Sequence, residues 1–196
     1  MNVIRSRAVT NSVLVRYLES TDSAAVQDLH EQLDQHDAYM RFFGARPKHF
    51  EDLAESLCRQ DPGHCALGAF IGGILVGVAN YVSPSDQAHN DSPLVEFALV
   101  VKHPYQSHGI GTMLLNRLVE AARAHGVRRM TAEVLVENSL MLEVLRDQGW
   151  SHALRRHGTT LHLDLELDAG GAHADICSGP HRSADDDVTR SDVGLH

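Results

Sequence analysis

Apolar runs separated by glycine, proline and polar turns divide the chain into strand-like and helix-like segments. Continuous or alternating apolar positions are typical of strands. Two of the runs flank Gly72 and Gly73, which predicts a β-hairpin. The last run has leucine at every second position, which predicts a half-buried strand. The predicted strands are residues 13–18, 66–71, 75–82, 94–101, 130–136 and 159–167.

Elsewhere, apolar residues recur at intervals of three and four, as expected on one face of a helix. Four helices are predicted. The first begins after a cap at Thr21 or Asp22, and the second begins after Pro47. The third begins near Ile110, and the fourth spans residues 138–148. Strands and helices thus follow one another along the chain. We therefore expect a mixed α/β domain over residues 13–167.

Composition and charge support one domain and exclude several classes of protein. The 196 residues, 43% of them hydrophobic, are enough for one full core but hardly for two. With 26 acidic and 17 basic residues, the net charge of −9 argues against nucleic-acid and membrane partners. No apolar stretch reaches the roughly 20 residues of a membrane helix, and residues 1–12 lack the apolar segment of a signal peptide. A soluble, unexported protein is expected.

Cysteine and histidine positions do not suggest a metal or a disulfide framework. Cys58, Cys65 and Cys177 are an odd number without CxxC or CxxH spacing. The 14 histidines are spread without a pair at helical spacing, so no metal is expected. A reducing cytoplasm is the simplest location.

Both ends of the chain differ from the middle. Residues 1–12 are expected to form a flexible N-terminus. Residues 168–196 hold few large apolar side chains and carry the acidic run Asp185, Asp186 and Asp187. Such a segment cannot offset its own ordering entropy, so a disordered acidic tail is expected.

A glycine-rich segment, Gln106-Ser107-His108-Gly109-Ile110-Gly111-Thr112, joins the strand at 94–101 to the long helix. Backbone amides are unpaired at a helix N-terminus, so a phosphate can bind there. The segment lacks the lysine of a Walker loop and the third glycine of a dinucleotide fingerprint. Taken alone, the pattern fits a tight strand-to-helix turn as well as an anion site.

Gln106-x-x-Gly109-x-Gly111 after an apolar strand resembles the pyrophosphate loop of the GNAT family of N-acetyltransferases. Asn138, opening a helix that runs to Gly149-Trp150, is similar to the family's second signature. The segments Tyr39-Met40-Arg41-Phe42-Phe43 and Val95-Glu96-Phe97-Ala98 resemble the bacterial subgroup that acetylates protein lysines, notably of AMP-forming acyl-CoA synthetases.

The resemblance implies the GNAT fold, a mixed sheet of about six to seven strands with helices on both faces. It also implies that acetyl-CoA, as co-substrate, binds in the cleft between two splayed parallel strands, here 94–101 and 130–136. Main-chain amides of the loop would hold the pyrophosphate, and those near Leu99 to Val101 would face the thioester oxygen. Asn138 either caps its helix alone or also touches the cofactor, and Met141 either packs or faces it. The cofactor-binding residues implied are Leu99, Val100, Val101, Gln106, Ser107, His108, Gly109, Ile110, Gly111, Thr112, Asn138 and Met141.

Glu96 is the one charged residue in the strand at 94–101. A carboxylate in an apolar strand is costly unless it is paired, hydrated in a cleft, or protonated. It can simply face solvent or an arginine such as Arg41. The resemblance implies instead that Glu96 is the general base that removes the proton of the attacking amine.

Two further features concern the acceptor and the leaving group. Tyr39, Arg41 and Phe42, on a loop between the first two helices, are expected at the acceptor site, whereas Phe43 is expected in the core. Many GNAT members carry a tyrosine seven residues after the signature asparagine, and here that position is Leu145. The thiolate would then leave unaided or take a proton from solvent.

The sequence therefore predicts an acetyl-CoA-dependent N-acetyltransferase that transfers the acetyl group directly to a protein lysine. Two alternatives stay open. One is an enzyme of the same fold that acetylates a small amine, and the other is an acetyl-CoA-binding sensor without turnover.

Overall fold

The computed structural model describes residues 12–44, 46–59, 61, 63–84 and 94–167. Apart from Ser12, the expected flexible N-terminus and the acidic tail, with Cys177, lie outside these residues. Among the described residues, no helix is long and apolar enough to cross a membrane.

Seven strands and five α-helices follow one another in the described chain. The strands are β1 Val13–Tyr17, β2 His64–Ile71, β3 Ile74–Val82, β4 Leu94–Val101, β5 Arg129–Leu135, β6 Leu154–His157 and β7 Thr160–Glu166. The helices are α1 Ser23–Glu31, α2 Gln35–Phe42, α3 Phe50–Leu57, α4 Ile110–Ala124 and α5 Ser139–Asp147. Short 3-10 turns lie at Ser20–Asp22, His103–Tyr105 and Trp150–Ala153.

The strands form one sheet in the order β1-β2-β3-β4-β5-β7-β6. All neighbours are antiparallel except β4 and β5, which are parallel. The predicted mixed sheet of six to seven strands is confirmed. The edge strand β6 was not predicted, because its sequence Leu-Arg-Arg-His contains one apolar residue and shows no alternation.

Each face of the sheet carries its own apolar core. One core joins α4 and α5 to the sheet through side chains such as Leu114, Leu118 and Leu145. The other core joins α1, α2 and α3 to the opposite face through side chains such as Leu29 and Val78. Helices therefore cover both faces, as the resemblance implied.

Helix α2 corrects the expectation of a loop between the first two helices. Asp34 begins it, because its side chain accepts a hydrogen bond from the Asp37 backbone N–H at 2.7 Å. Phe43 ends it in the left-handed conformation, with φ of 55°. The helix has only eight residues, about two turns, which is too short for periodicity to reveal it.

The parallel strands β4 and β5 part near their middles. Their register covers Leu94 with Arg129, Val95 with Met130, and Glu96 with Thr131, and goes no further. On its other edge, β4 stays paired with β3 as far as Val101. The second half of β4 therefore borders an opening on the side of β5, as expected for the splayed pair.

Candidate active site

A cleft of about 300 Å³ lies where β4 has left β5. Its walls come from the end of β4, the glycine-rich segment, α2, and the start of α5. Ten of the predicted cofactor residues line it: Leu99, Val100, Val101, Gln106, Ser107, Gly109, Gly111, Thr112, Asn138 and Met141. Of the other two, Ile110 has its side chain in the core and His108 is exposed.

The glycine-rich segment turns into α4 through two left-handed residues. Ser107 has φ of 59°, and Gly109, the N-cap of α4, has φ of 77°. No side chain caps this helix. The amides of its first turn are therefore available to an anion, which the helix dipole also favours.

Gln106 fixes the position of this segment. Its side-chain amide donates to the Val101 carbonyl at 3.0 Å and to Asp37 Oδ2 at 3.1 Å. The segment is thereby tied to the end of β4 and to α2. The same side chain also lines the cleft.

Gly111 packs closely against α5 and β4, which are two walls of the cleft. A Cβ atom at this position would lie 3.2 Å from Val144 Cγ2 and 3.5 Å from Leu99 Cδ2. Even an alanine would therefore require Val144 to shift by a few tenths of an ångström.

Asn138 begins α5, because its side-chain oxygen accepts from the Met141 backbone N–H at 3.0 Å. Asn138 also lines the cleft. Met141 lines the cleft and packs partly against the core.

Glu96 lies on β4 at the point where the strands part. Its side chain is exposed and not enclosed by apolar residues, which is the solvent-facing placement that the sequence left open. It forms no ion pair with any described residue, and it lies outside the residues that line the cleft.

The three predicted acceptor residues diverge around α2. Arg41 lines the cleft. Phe42 packs against His30 and Phe50, with ring centroids 6.1 Å apart in each pair. Tyr39 is 42% exposed on the outer side of the helix. Phe43, which was expected in the core, is 43% exposed.

Arg41 is the most unusual side chain of the site. Its Nε atom is buried without a hydrogen-bond partner, and Nη2 is 3.5 Å from Asn80 Oδ1. Burial lowers the pKa of Arg41 to about 10, and the negative charge of Glu96 opposes this change. The guanidinium is still protonated at neutral pH.

Sequence reasoning missed several residues of the cleft. Helix α2 contributes His36, Asp37 and Met40, and the α5 side contributes Glu137, Ser139, Leu140, Glu143, Val144 and Asp147. The spacing Asp34-x-x-Asp37 was an available signal for α2, because aspartate is a common N-cap. Nothing local marks the α5 residues, since their role depends on where the helix packs.

Asp34, Asp37 and His103 also lie close together beside the cleft. Among the described residues, they form a group whose possible ligand atoms lie within 4.8 Å of one another. Both carboxylates already have other partners: Asp34 caps α2, and Asp37 accepts from Gln106. These contacts give each carboxylate a role in positioning α2.

Comparison with known proteins agrees with this geometry. Residues 28–150 match the family described as the acetyltransferase (GNAT) family. The chain is similar to the GNAT domain of S. lividans PAT, with 26% identity and a TM-score of 0.69 over 78% of this chain and 89% of that one. The protein therefore belongs to the acetyltransferase (GNAT) family, and it is an N-acetyltransferase.

More distant structures share the fold. One is yncA from Salmonella typhimurium, solved with its cofactor acetyl-CoA, with 20% identity and a TM-score of 0.65 over 85% of this chain and 99% of that one. Another is the PaiA N-acetyltransferase from Thermoplasma acidophilum, solved with coenzyme A. It has 16% identity and a TM-score of 0.59 over 80% of this chain and 99% of that one.

Proposed function

We propose that this enzyme binds acetyl-CoA in the cleft and transfers the acetyl group directly to a lysine amine of a protein, with Glu96 as general base. One observation carries the proposal. The parting of β4 from β5 opens directly beside the uncapped N-terminus of α4.

The residues present fit acetyl-CoA. The second half of β4 has a free edge on the side of β5, where an extended chain such as pantetheine can bind like an added strand. The left-handed residues Ser107 and Gly109 and the uncapped first turn of α4 suit a pyrophosphate. Bound here, acetyl-CoA would supply an activated acetyl thioester.

A lysine amine has an ordinary pKa near 10.4, so at pH 7 it must lose a proton before it attacks a thioester. Glu96 is exposed at the point where the strands part, where an acceptor amine can reach it. Leu145 is fully buried, so this position contributes no proton to the leaving thiolate. A thiol pKa near 8.5 allows the thiolate to leave unaided.

A protein acceptor is supported by similarity to the GNAT domain of S. lividans PAT and by the exposed Tyr39 and Phe43 on α2. AMP-forming acyl-CoA synthetases are the first acceptors to test. The domain boundaries at 13 and 167 and the cytoplasmic location remain predictions.

A small amine is the second candidate acceptor, and one observation favours it. Three carboxylates on the α5 side, Glu137, Glu143 and Asp147, line the cleft. Such a surface attracts a polyamine or another small cation. The non-catalytic sensor remains an outcome of the following test.

The test measures CoA release and acetyl-CoA affinity for the wild type and for Glu96→Gln. Because the amide cannot take the amine proton, turnover should fall about 100-fold or more with nearly unchanged acetyl-CoA affinity. The acceptors are an AMP-forming acyl-CoA synthetase and a panel of small amines. Glu120→Gln, an exposed glutamate on α4, is the matched control.

Acetylation of a synthetase lysine would support the protein acceptor. Release with small amines alone would assign the enzyme to small-molecule acetylation. Tight binding without any release would indicate a sensor. Unchanged turnover in Glu96→Gln would remove Glu96 from the mechanism.

A further inference from the structure

Helix α2 runs antiparallel to β4, and this orientation determines where Arg41 lies along the strand. Near its start, Asp37 accepts from Gln106, which also bonds to Val101 at the end of β4. One turn later, Arg41 reaches Asn80 on β3. Asn80 pairs with Ala98 in the sheet. Arg41 therefore lies over the middle of β4.

The guanidinium of Arg41 is poorly satisfied. Its Nε–H is buried without an acceptor, its contact with Asn80 is long, and it forms no ion pair with any described residue. The Phe42 ring offers a cation–π contact, with its centroid 5.2 Å from Arg41 Cζ. These contacts still leave most of the five N–H donors of the guanidinium without an acceptor.

The position of Arg41 indicates which negatively charged group it can contact in the cleft. Arg41 lines the cleft together with Leu99, Val100 and Val101, the residues beside which the thioester oxygen is expected. Glu96, which would take the amine proton, lies on the same strand and acts electrostatically on Arg41. During acetyl transfer, negative charge develops on the thioester oxygen, which becomes the oxyanion. This oxygen is expected between Arg41 and Glu96.

We propose that Arg41 is a catalytic residue whose guanidinium, at the wall of the cleft, donates a hydrogen bond to the thioester oxygen and stabilises its negative charge in the transition state. This inference rests on the proposed function. A preorganised donor in a site shielded from water is effective because it needs no reorganisation as the charge forms.

The acetyl transfer balances as follows. The neutral amine nitrogen forms a bond to the carbonyl carbon, and the π electrons move to the oxygen that Arg41 contacts. The carbonyl then re-forms while the carbon–sulfur bond breaks and its electron pair leaves on the thiolate. The ammonium proton removed before attack passes through Glu96 to solvent, and the second proton, released from the nitrogen as the amide forms, then goes to Glu96. The thiolate takes a proton from solvent.

The experiment compares Arg41→Gln, Arg41→Lys and the matched control Arg117→Gln, an exposed arginine on α4. Transfer to the best acceptor and acetyl-CoA hydrolysis without acceptor are both measured, since both pass through an oxyanion. Arg41→Gln should lower both rates about 100-fold, with KM for acceptor and acetyl-CoA affinity within about threefold of the wild type. Arg41→Lys should recover part of the loss, and Arg117→Gln should match the wild type.

A spectroscopic readout tests the contact without turnover. The carbonyl stretch of bound ¹³C-acetyl-CoA should lie at lower frequency in the wild type than in Arg41→Gln, because a charged donor polarises the bond. Should Arg41→Gln fail to fold, the same comparison is made with Arg41→Lys, which keeps the charge but loses the planar donor.

Three results would overturn the role of Arg41. One is an unchanged rate and carbonyl frequency in the variants. Another is a raised KM for acceptor with unchanged hydrolysis, which would make Arg41 an acceptor-binding residue. The third is loss of acetyl-CoA affinity and thermal stability alone, which would make it structural. Failure of the proposed function looks different, because the wild type itself would then release no CoA with any acceptor.

Discussion

Two buried nitrogen atoms without hydrogen-bond partners lie on neighbouring helices: Nε2 of His30 on α1 and Nε of Arg41 on α2. The Nδ1–H of His30 donates to the Val26 carbonyl at 2.8 Å, so Nε2 is the unprotonated nitrogen of a neutral ring. Burial, together with the charge of Arg41, lowers the pKa of His30 to about 4, and the hydrogen bond to Val26 opposes this change. Burying each of these nitrogen atoms without a hydrogen-bond partner is unfavourable to folding.

His30 makes stability depend on pH. Its folded-state pKa of about 4 lies below the ordinary value of about 6.5, so the unfolded chain takes up a proton first as pH falls. The stabilisation is complete above pH about 6.5 and is lost as pH falls towards 4. The free energy of unfolding should fall by about 2 kcal/mol between pH 7 and pH 5, measured by urea titration.

His30→Gln should remove most of this dependence, because glutamine does not titrate. His49→Gln, at an exposed histidine, is the control and should retain it. The same decrease in His30→Gln as in the wild type would assign the effect to other groups.

At the scale of elements, α2 is the part of the fold that periodicity did not reveal and on which the site depends most. It carries Arg41, and it contacts the glycine-rich segment through Asp37 and Gln106. Its start depends on one side chain, that of Asp34. Apart from β6, the strands were predicted well, as was α4, because their apolar spacing extends over many residues.

Asp34→Ala should lower the free energy of unfolding by about 1 kcal/mol, because the N-cap bond to Asp37 N–H is lost. Asp34→Asn keeps a capping oxygen and should cost much less. Urea unfolding at pH 7 measures both. Equal losses in the two variants would show that the charge of Asp34, and not its cap, stabilises α2.

At the scale of the whole molecule, the main-chain hydrogen bonds of the sheet extend, among the described residues, to residue 167. Leu167 is buried, and its N–H donates to the Arg128 carbonyl at 2.8 Å. Leu163 and Leu165 on β7 belong to the core beneath α4. The contacts that build the cleft therefore lie within the proposed domain.

A chain truncated after residue 167 should bind acetyl-CoA as tightly as the full chain, because the described cleft uses no residue beyond that point. A chain truncated after residue 159 loses β7 and should not fold cooperatively. Calorimetry measures the affinity for acetyl-CoA, and thermal unfolding measures whether each fragment folds cooperatively. Weaker binding by the longer fragment would show that residues 168–196 contribute to the site.

The sequence by itself determined the order of most elements, the glycine-rich turn before α4 and the family resemblance, because these depend on local spacing. Only the tertiary structure showed where β4 leaves β5, that Glu96 is exposed, and that Tyr39, Arg41 and Phe42 diverge around a helix. Strand pairing and burial are set by residues far apart in the chain. An arginine whose Nε is buried without an acceptor can therefore be recognised only after the chain has folded around it.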